Sequence, residues 1–360
     1  MPFLEERKQS ILNQSLQDFE VVIVDDGSQD GAREFLLNWS QSDPRVRFFD
    51  GPRKGLYAGW NECVKHCRGK YVYFATSDDS MVAETLEHMA ECLELNRDCD
   101  ICYTPLIVTD SQGNVMSTGG GDDRNRWLCP GWTESINVRP APYDGILYFA
   151  GRGQYGSITQ LLLQKRVFEK IGYFREDIGP VADYEWTLRA CLRVGTVYSQ
   201  KPCGTWRLHD AQATAKATGS ELENLKMQLG LIKTAILAEC HEPCALNPIA
   251  KRMAKYWYTL RILRILRRQA MTSVESLREF TWYCTLNPEV LLFWILCQAF
   301  QPCDSWLRNA LVKTCRAVCA AQPRAAQRRL AIVQQEMVSE GNATNESSDL
   351  FRVSVNNEGA

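Results

Sequence analysis

Two short apolar segments of this 360-residue chain each run into a pair of aspartates, and this feature narrows the choice of fold more than any other. Residues 19–24 continue into Asp25-Asp26-Gly27-Ser28, and residues 71–75 continue through Thr76-Ser77 into Asp78-Asp79. Unbroken apolar runs of this length are typical of strands that are buried on both faces of a parallel sheet. Because ligands of such sheets bind at the carboxyl ends of the strands, both acidic pairs are predicted to lie beside a ligand.

The first half of the chain alternates between helical and strand patterns. Helical periodicity covers residues 3–15, 30–42, 56–67 and 82–95, and strand-like runs cover residues 19–24, 46–49, 71–75 and 101–108. After an irregular stretch at 110–156, the pattern resumes with a strand at 157–163 and helices at 166–171 and 181–194. This alternation predicts an α/β fold with a mainly parallel sheet.

Changes in composition divide the chain into three parts. We expect a catalytic domain at residues 1–217, a helical region at 218–340 and a polar, disordered tail at 341–360. Within the helical region, residues 261–268 place apolar side chains on one helix face and arginines on the other. Such a helix either lies on an anionic membrane surface or packs on the catalytic domain with its basic face in solvent, and packing is slightly favoured.

Charge and cysteine content restrict the partners and the compartment. A formal net charge of −2 gives no reason to expect a nucleic acid partner. The fifteen cysteines do not follow the spacing of a disulfide scaffold, and the opening residues are charged rather than apolar, which favours buried reduced thiols in the cytoplasm. No apolar run reaches the roughly 18–20 residues of a spanning helix. We therefore expect a cytoplasmic protein, with peripheral contact at the inner membrane face as the alternative location.

The two acidic pairs indicate a particular ligand chemistry. Either pair alone is explained about as well by helix capping, since Asp and Ser are common N-caps. Two pairs after two buried strands are harder to explain in that way, because clustered carboxylates repel one another unless a positive charge lies between them. Mg²⁺ or Mn²⁺ takes few protein carboxylates and completes its shell with phosphate oxygens, which predicts a nucleoside diphosphate ligand.

A series of motifs along residues 3–215 resembles glycosyltransferase family 2. In chain order the matching segments are residues 3–6, 10–15 and 19–28, Lys54-Gly55 with Ala58 and Asn61, then residues 69–72, 77–79, 167–176, 183–186 and 206–209. Each segment is a weak signal by itself, and the resemblance rests on their order. It implies a nucleotide-diphospho-sugar transferase (GT-A, Rossmann-like) fold, with helices on both faces of one sheet.

The resemblance also implies a role for particular residues. Those expected to bind the nucleotide are Asp25, Asp26, Ser28, Lys54, Gly55, Asn61 and Asp78. Asp79 and His209 are expected at the metal, and Asp183 is the expected general base. Glu185, Trp186 and Arg207 are expected near the acceptor or the diphosphate. Alternatives stay open: Asp183 as a helix cap, Glu185 as a rival base, Trp186 as a core residue and His209 as a structural residue.

The implied reaction is an inverting transfer of a sugar from a nucleoside diphosphate donor, with a UDP-sugar favoured, to a glycan or lipid-linked acceptor. The metal acts as Lewis acid for the leaving diphosphate, and a carboxylate deprotonates the acceptor hydroxyl. No Ser–His–Asp or Cys–His pattern supplies a nucleophile. The setting is expected to be polysaccharide biosynthesis for the cell envelope.

The sequence departs from the family pattern at two places. Thr76 stands where the family has an aspartate two positions before the acidic pair. The family's first strand has no counterpart ahead of residue 3, although that strand belongs inside the sheet. We expect either a start farther upstream or a fragment, the alternative being a true truncation with impaired donor binding. The second function that remains open is a non-catalytic relic that binds glycan or nucleotide; a nucleotidyltransferase is a third.

Overall fold

The computed structural model describes residues 3–120, 136–149, 156–210, 221–246, 248, 259, 262–263, 265–267, 274–286 and 353–357. The helices are α1 (Leu4–Leu12), α2 (Ala32–Ser42), α3 (Leu56–His66), α4 (Thr85–Leu95), α5 (Tyr143–Phe149), α6 (Arg166–Ile171), α7 (Ala182–Cys191), α8 (Glu221–Leu237) and α9 (Val274–Leu286). The strands are β1 (Val21–Asp25), β2 (Val46–Asp50), β3 (Tyr71–Ala75), β4 (Cys99–Tyr103), β5 (Leu106–Thr109), β6 (Val115–Gly120), β7 (Asn137–Arg139), β8 (Leu161–Gln164), β9 (Gly195–Tyr198), β10 (Gly204–Arg207) and β11 (Val353–Asn357).

The main sheet has the strand order β2-β1-β11-β3-β8-β4-β9-β7, and a second sheet has the order β10-β5-β6. Neighbours from β2 to β3 run parallel, whereas β8 runs antiparallel between β3 and β4. Six of the eight strands therefore share one direction, as the sequence predicts for a mainly parallel sheet, while β8 and β7 run in the opposite direction. The apolar pattern did not show the reversal, because a strand buried on both faces has the same composition in either direction.

Helices cover both faces of the main sheet, as the sequence predicts. Successive β3 side chains alternate between two cores, because strand side chains point to opposite faces. Tyr71 and Tyr73 belong to the core that includes residues of α1, α2 and α4. Val72 and Phe74 belong to the core that includes residues of α3, α6 and α7.

The strand β11 lies between β1 and β3 in the main sheet. Residues 353–357 pair in parallel with β1 along its whole length and with the end of β3. Of residues 341–360, for which the sequence predicts a disordered tail, the structure describes 353–357 as this strand. Polar composition argued against a core role, but pairing on both sides satisfies the backbone groups of the segment and of its neighbours.

The C-terminal helices pack on α7. Leu188 and Leu192, from α7 and its C-terminal cap, share a core with Leu229 of α8 and with Ile262 and Leu266. The apolar face of the basic amphipathic segment is thus buried against the catalytic part, as the packed alternative predicts, while Arg267 is exposed. Among the described residues, no helix has the length and hydropathy needed to cross a membrane.

Parts of the irregular stretch at 110–156 form regular elements, namely β6, β7 and α5. Residues 121–135 and 150–155 lie outside the described residues, as do residues 287–340 of the predicted helical region. The ten described cysteines are free thiols in the structure.

Candidate functional site

The first acidic pair lies at the carboxyl end of β1 and organises the loops around it. Asp25 is 1% exposed, and its Oδ2 accepts a hydrogen bond from Arg33 Nη1 at 3.1 Å. The backbone N–H of Ser28 donates to Asp25 Oδ1 at 3.3 Å, which closes the turn after the strand. Asp25 therefore stabilises the segment after β1 through contacts within the protein.

Asp26 holds the loop that leads into α3. Its Oδ1 accepts from the backbone N–H of Arg53 at 2.5 Å, and its Oδ2 accepts from that of Gly55 at 2.7 Å. Gly55 has φ of 91°, a conformation that favours glycine. This bonding brings the exposed Lys54 to the same edge of the sheet as the first acidic pair.

The second acidic pair follows β3 at the same edge. Asp78 has a partly exposed side chain, and its Oδ2 lies 3.2 Å from Nε2 of His209. Asp79 is 4% exposed; its Oδ2 accepts from Thr76 Oγ1 at 2.7 Å and its Oδ1 accepts from the backbone N–H of Arg207 at 2.9 Å. Thr76, at the position where the family has aspartate, thus supports the remaining pair.

Burial, followed by the charge of Asp78, raises the pKa of Asp79 to about 6, while the charge of Arg7 acts in the opposite direction. Arg7 is 1% exposed, and its Nε donates to Thr76 O at 2.8 Å. Its Nη1 and Nη2 have no hydrogen-bond acceptor among the described residues. The acidic pair therefore lies beside a buried cation that does not fully compensate for it.

The residues after β3 fit a divalent cation that also binds phosphate. Within the described part of the chain, no three His, Cys, Asp or Glu side chains converge as a complete metal site. A cation that completes its shell with phosphate oxygens needs only one or two protein carboxylates. Asp78 with His209 offers that limited set, and a cation there would offset both the burial and the Asp78 charge that raise the pKa of Asp79.

Arg207 and His209 follow β10 but differ in their surroundings. Arg207 is 2% exposed, and its Nε donates to Asp78 O at 3.0 Å while Nη2 pairs with Glu6. Its guanidinium also lies 4.6 Å from the ring centroid of Phe3. Arg207 thus braces the loop of the second acidic pair and bonds Asp79 through its backbone N–H, whereas His209 contacts Asp78 through its imidazole.

Asp183 lies in the first turn of α7, and its carboxylate is the candidate base. Its Oδ1 accepts from Tyr57 Oη at 3.1 Å and from the backbone N–H of Tyr184 at 2.7 Å. Burial raises the pKa of Asp183, and these hydrogen bonds oppose the shift. A carboxylate with a raised pKa is better matched to take a proton near neutral pH than one in water.

Glu185 and Trp186 are both 0% exposed, so neither offers a surface to an acceptor in this structure. Glu185 forms a two-bond ion pair with Arg189, at 3.0 and 2.9 Å, on the side of α7 that faces the core. Trp186 Nε1 donates to Gly172 O at 2.9 Å. We therefore leave both residues out of the site, and Asp183 has no rival on this helix turn.

Asn61 is likewise turned into the protein. It is 3% exposed, its Nδ2 donates to Phe174 O at 2.9 Å and its Oδ1 accepts from the backbone N–H of Phe174 at 3.0 Å. The same Nδ2 lies 3.0 Å from Glu176 Oε1. These contacts fix the segment ahead of α7, so the described position of Asn61 favours a structural role.

Two residues of the site had no signal in the sequence. Tyr57 lies in the first turn of α3, where an aromatic residue is equally typical of a core face. Arg7 lies on a helix whose other charged residues are mostly exposed, and no periodic pattern separates it from them. Only the packing of α1 and α3 against the sheet shows that these side chains reach Thr76 and Asp183.

Comparison with known proteins gives matches to one family. The sequence profile of Glycosyl transferase family 2 matches residues 2–140. A protein of Methanocaldococcus jannaschii named as an uncharacterized glycosyltransferase is 33% identical over 116 residues, which are 32% of this chain and 40% of that protein. Chondroitin synthase of Escherichia coli is 35% identical over 113 residues, which are 31% of this chain and 16% of that protein. The matched part thus spans less than half the length of either relative.

Solved structures share the fold. TarS of S. aureus, residues 1–349 in complex with UDP-GlcNAc, has a TM-score of 0.56 at 14% identity, and the alignment covers 89% of this chain and 87% of that one. The same protein in complex with UDP has a TM-score of 0.53 at 15% identity over 97% and 91% of the two chains. At this level of identity the likeness establishes the fold, which confirms the expected architecture.

Proposed function

We propose that this chain, whose residues 2–140 match the profile of glycosyl transferase family 2, transfers a sugar from a nucleoside diphosphate donor to an acceptor hydroxyl. The observation that carries the proposal is the placement of two unlike acidic centres at one end of the sheet. Asp78 and Asp79 with His209 form a cation-binding centre after β3, and Asp183 forms a proton-accepting centre at α7.

The donor side would be built by the loops after β1 and β3. Lys54, exposed on the loop held by Asp26, supplies a positive charge beside the nucleotide edge. Asp78 and His209 would hold Mg²⁺ or Mn²⁺, with Asp79 as the second negative charge behind them. When bound, the cation would supply positive charge to the leaving diphosphate.

Asp183 would act on the acceptor. Its carboxylate accepts the proton of the acceptor hydroxyl as that oxygen attacks the anomeric carbon, and the bond to the diphosphate oxygen breaks on the opposite face. One such displacement inverts the anomeric centre. Tyr57 holds the carboxylate through a hydrogen bond and keeps its pKa from rising farther.

The substrate classes follow from the family and the relatives. We favour a UDP-sugar as donor, since TarS is seen with UDP and with UDP-GlcNAc. We favour a glycan or lipid-linked acceptor in polysaccharide synthesis, since one relative is named chondroitin synthase. The packed C-terminal helices are compatible with a cytoplasmic enzyme, and membrane contact is no part of the proposal.

The test is a panel of UDP-, GDP- and TDP-sugars with Mn²⁺ or Mg²⁺, with binding and donor turnover measured separately. We expect one donor class to bind only with the metal. Asp183→Asn should retain this binding and lose turnover by about 10²–10⁴-fold, the usual contribution of a general base. The matched control is Asp177→Asn, an exposed aspartate paired with Arg175.

Equal turnover by the Asp183→Asn and Asp177→Asn variants would remove Asp183 from the mechanism. Metal-dependent binding of a donor without turnover toward any acceptor or water would instead favour the non-catalytic relic. Absence of binding across the whole panel contradicts the proposal.

A further inference from the structure

Arg7 is a buried cation beside the second acidic pair, and its own hydrogen bonds do not explain its position. The residue is 1% exposed, and its Nε donates to Thr76 O at 2.8 Å. The other two nitrogens of the guanidinium, Nη1 and Nη2, are buried and have no acceptor among the described residues. Buried donors without acceptors are unfavourable, so a different interaction must account for this side chain.

That interaction is electrostatic. Burial raises the pKa of Asp79 and of Tyr73, and the charge of Arg7 opposes the rise in both groups. Thr76 links Arg7 to Asp79, since its backbone oxygen accepts from Arg7 and its hydroxyl donates to Asp79 at 2.7 Å. The guanidinium thus acts on the acidic pair through space, without a hydrogen bond from Nη1 or Nη2 to either carboxylate.

The charges of the described side chains make this centre only weakly negative. Asp78 and Asp79 each carry a negative charge when ionised, and Arg7 offsets one of them. Arg207 adds no net charge, because it is paired with Glu6. A divalent cation placed on Asp78 would therefore be attracted by the pair and repelled by Arg7.

Thr76 changes the charge of the centre in the same direction. It stands where the family pattern has an aspartate, and its hydroxyl faces Asp79. A carboxylate in its place would add a negative charge beside the pair. Both Arg7 and Thr76 thus weaken the attraction of this centre for a free cation.

A cation that is bound to the diphosphate of a donor is a different ligand. The diphosphate of a nucleotide sugar carries a negative charge on each phosphate group, so its complex with Mg²⁺ or Mn²⁺ has no net charge. Because the Coulomb energy scales with charge, Arg7 repels the free ion strongly and the neutral complex little.

We propose that Arg7 makes the centre after β3 selective for a divalent cation in complex with a nucleoside diphosphate, by repelling the free cation. The inference rests on the proposed function, which supplies the cation and the donor. Arg7 is thus a residue that determines specificity through its charge.

The test compares two ligands at pH 8, above the pKa of about 6 for Asp79. The first is Mn²⁺ alone, measured by calorimetry and by its effect on the unfolding temperature. The second is UDP-GlcNAc together with Mn²⁺. Arg7→Met should bind free Mn²⁺ at least about tenfold more tightly than the full chain, because a nearby positive charge is lost. It should bind UDP-GlcNAc with Mn²⁺ no more tightly than the full chain.

A second variant approaches the same centre from the opposite charge. Thr76→Asp should also tighten the binding of free Mn²⁺, whereas Thr76→Asn, of the same shape without the charge, should not. Lys8→Met is the control for Arg7→Met, since it removes the same charge from the next position of α1. Lys8 Nζ lies 5.5 Å from the ring centroid of Phe35, and its loss should leave Mn²⁺ binding unchanged.

Weaker binding of free Mn²⁺ by Arg7→Met would overturn the proposal and leave Arg7 as a brace of the loop alone. An equal gain for free Mn²⁺ and for UDP-GlcNAc with Mn²⁺ would also overturn it, as would equal Mn²⁺ affinity in Thr76→Asp and Thr76→Asn. If the full chain binds UDP-GlcNAc with Mn²⁺ but Arg7→Met has unchanged Mn²⁺ affinity, this inference alone fails. If the full chain binds no nucleotide sugar with Mn²⁺, the proposed function fails with it.

Discussion

The hydrogen bond between Tyr57 and Asp183 adjusts a single proton-accepting group. Burial raises the pKa of Asp183, and the hydroxyl of Tyr57 opposes that shift by stabilising the carboxylate. Only the ionised carboxylate accepts a proton, so a higher pKa of Asp183 lowers the fraction of active enzyme at acidic pH. Tyr57 is therefore a positioning residue whose effect depends on pH.

We predict that Tyr57→Phe moves the acid limb of the turnover profile to higher pH. Turnover should fall about three- to tenfold near pH 6 and less at pH 8, in line with the loss of one hydrogen bond to a charged group. The measurement is kcat against pH, with the exposed Tyr173→Phe as control. An equal loss at all pH values would show that Tyr57 acts only through packing.

The ionisation of Asp79 should change the stability of the chain with pH in a definite direction. Its pKa, raised by burial and then by Asp78, is about 6 in the folded chain against 3.8 in the unfolded chain. The folded state therefore holds more protons between these values, and stability contributed by this group rises as pH falls through 6 toward 4. At pH 7.5, ionisation of Asp79 lowers the free energy of unfolding by about 3 kcal/mol relative to the chain with this carboxyl protonated.

Asp79→Asn should therefore stabilise the metal-free chain at pH 7.5, by up to about 3 kcal/mol, with the gain lost near pH 4. The same variant should lose metal-dependent donor binding. The measurement is urea unfolding with a chelator across this pH range, with the exposed Asp18→Asn as control. A gain that is constant with pH would contradict the assignment to Asp79.

At the scale of single elements, β10 places His209 and depends on a close approach at its first residue. A Cβ on Gly204 would lie 2.5 Å from the backbone oxygen of Thr159, and 3.3 Å from the hydroxyl of Tyr73. The oxygen of Thr159 is a backbone atom, so it cannot rotate away from the added Cβ as the end of a side chain could. Because β10 leads into Arg207 and then His209, a shift of the strand displaces the residue that faces Asp78.

Gly204→Ala should destabilise the chain by about 1–3 kcal/mol, the usual cost of overpacking. It should also weaken metal-dependent donor binding, although Gly204 itself touches no ligand. The control is Gly230→Ala in α8, where a Cβ meets nothing within 4 Å and alanine favours the helix. If both substitutions raise stability, the close approach at β10 is not tight.

At the scale of the whole molecule, Arg193 joins the catalytic part to the C-terminal helices. Arg193 is 5% exposed and donates to the backbone oxygens of Arg189, Ala235, Ala238 and Glu242, at 2.9–3.1 Å. These acceptors include carbonyls at the end of α8, which have no partner within the helix. The buried side chain of Arg193 thus supplies hydrogen-bond donors to carbonyl groups at the end of α8.

Arg193→Leu should destabilise the folded chain by roughly 2–4 kcal/mol, because several buried carbonyls lose their donor. Hydrogen exchange should rise at the end of α8 more than in β1. Urea unfolding and exchange measure both effects, and Arg97→Leu, whose side chain is 83% exposed, serves as control. Equal exchange in α8 for both variants would show that the apolar core alone holds the helix.

The predictability of the site differs among its residues for physical reasons. Asp25, Asp78 and Asp183 each follow or begin an element with a clear pattern, so their position at the sheet edge could be predicted from the sequence. The inward contacts of Asn61 and the ion pair between Glu185 and Arg189 could not be predicted. The identity of a polar residue on a helix face does not show whether its side chain contacts a ligand or a backbone amide. Only the packing of the helix distinguishes these two cases.

The amino-acid order by itself determined the strand–helix alternation, the edge at which the acidic pairs lie and the resemblance to glycosyl transferase family 2. These features depend on local periodicity and on motifs within a few residues. The tertiary structure alone decided the antiparallel direction of β8, the bracing roles of Arg7 and Arg207 and the place of β11 between β1 and β3. Such features join residues far apart in the chain, and their free energy comes from backbone pairing and buried contacts that no local pattern records.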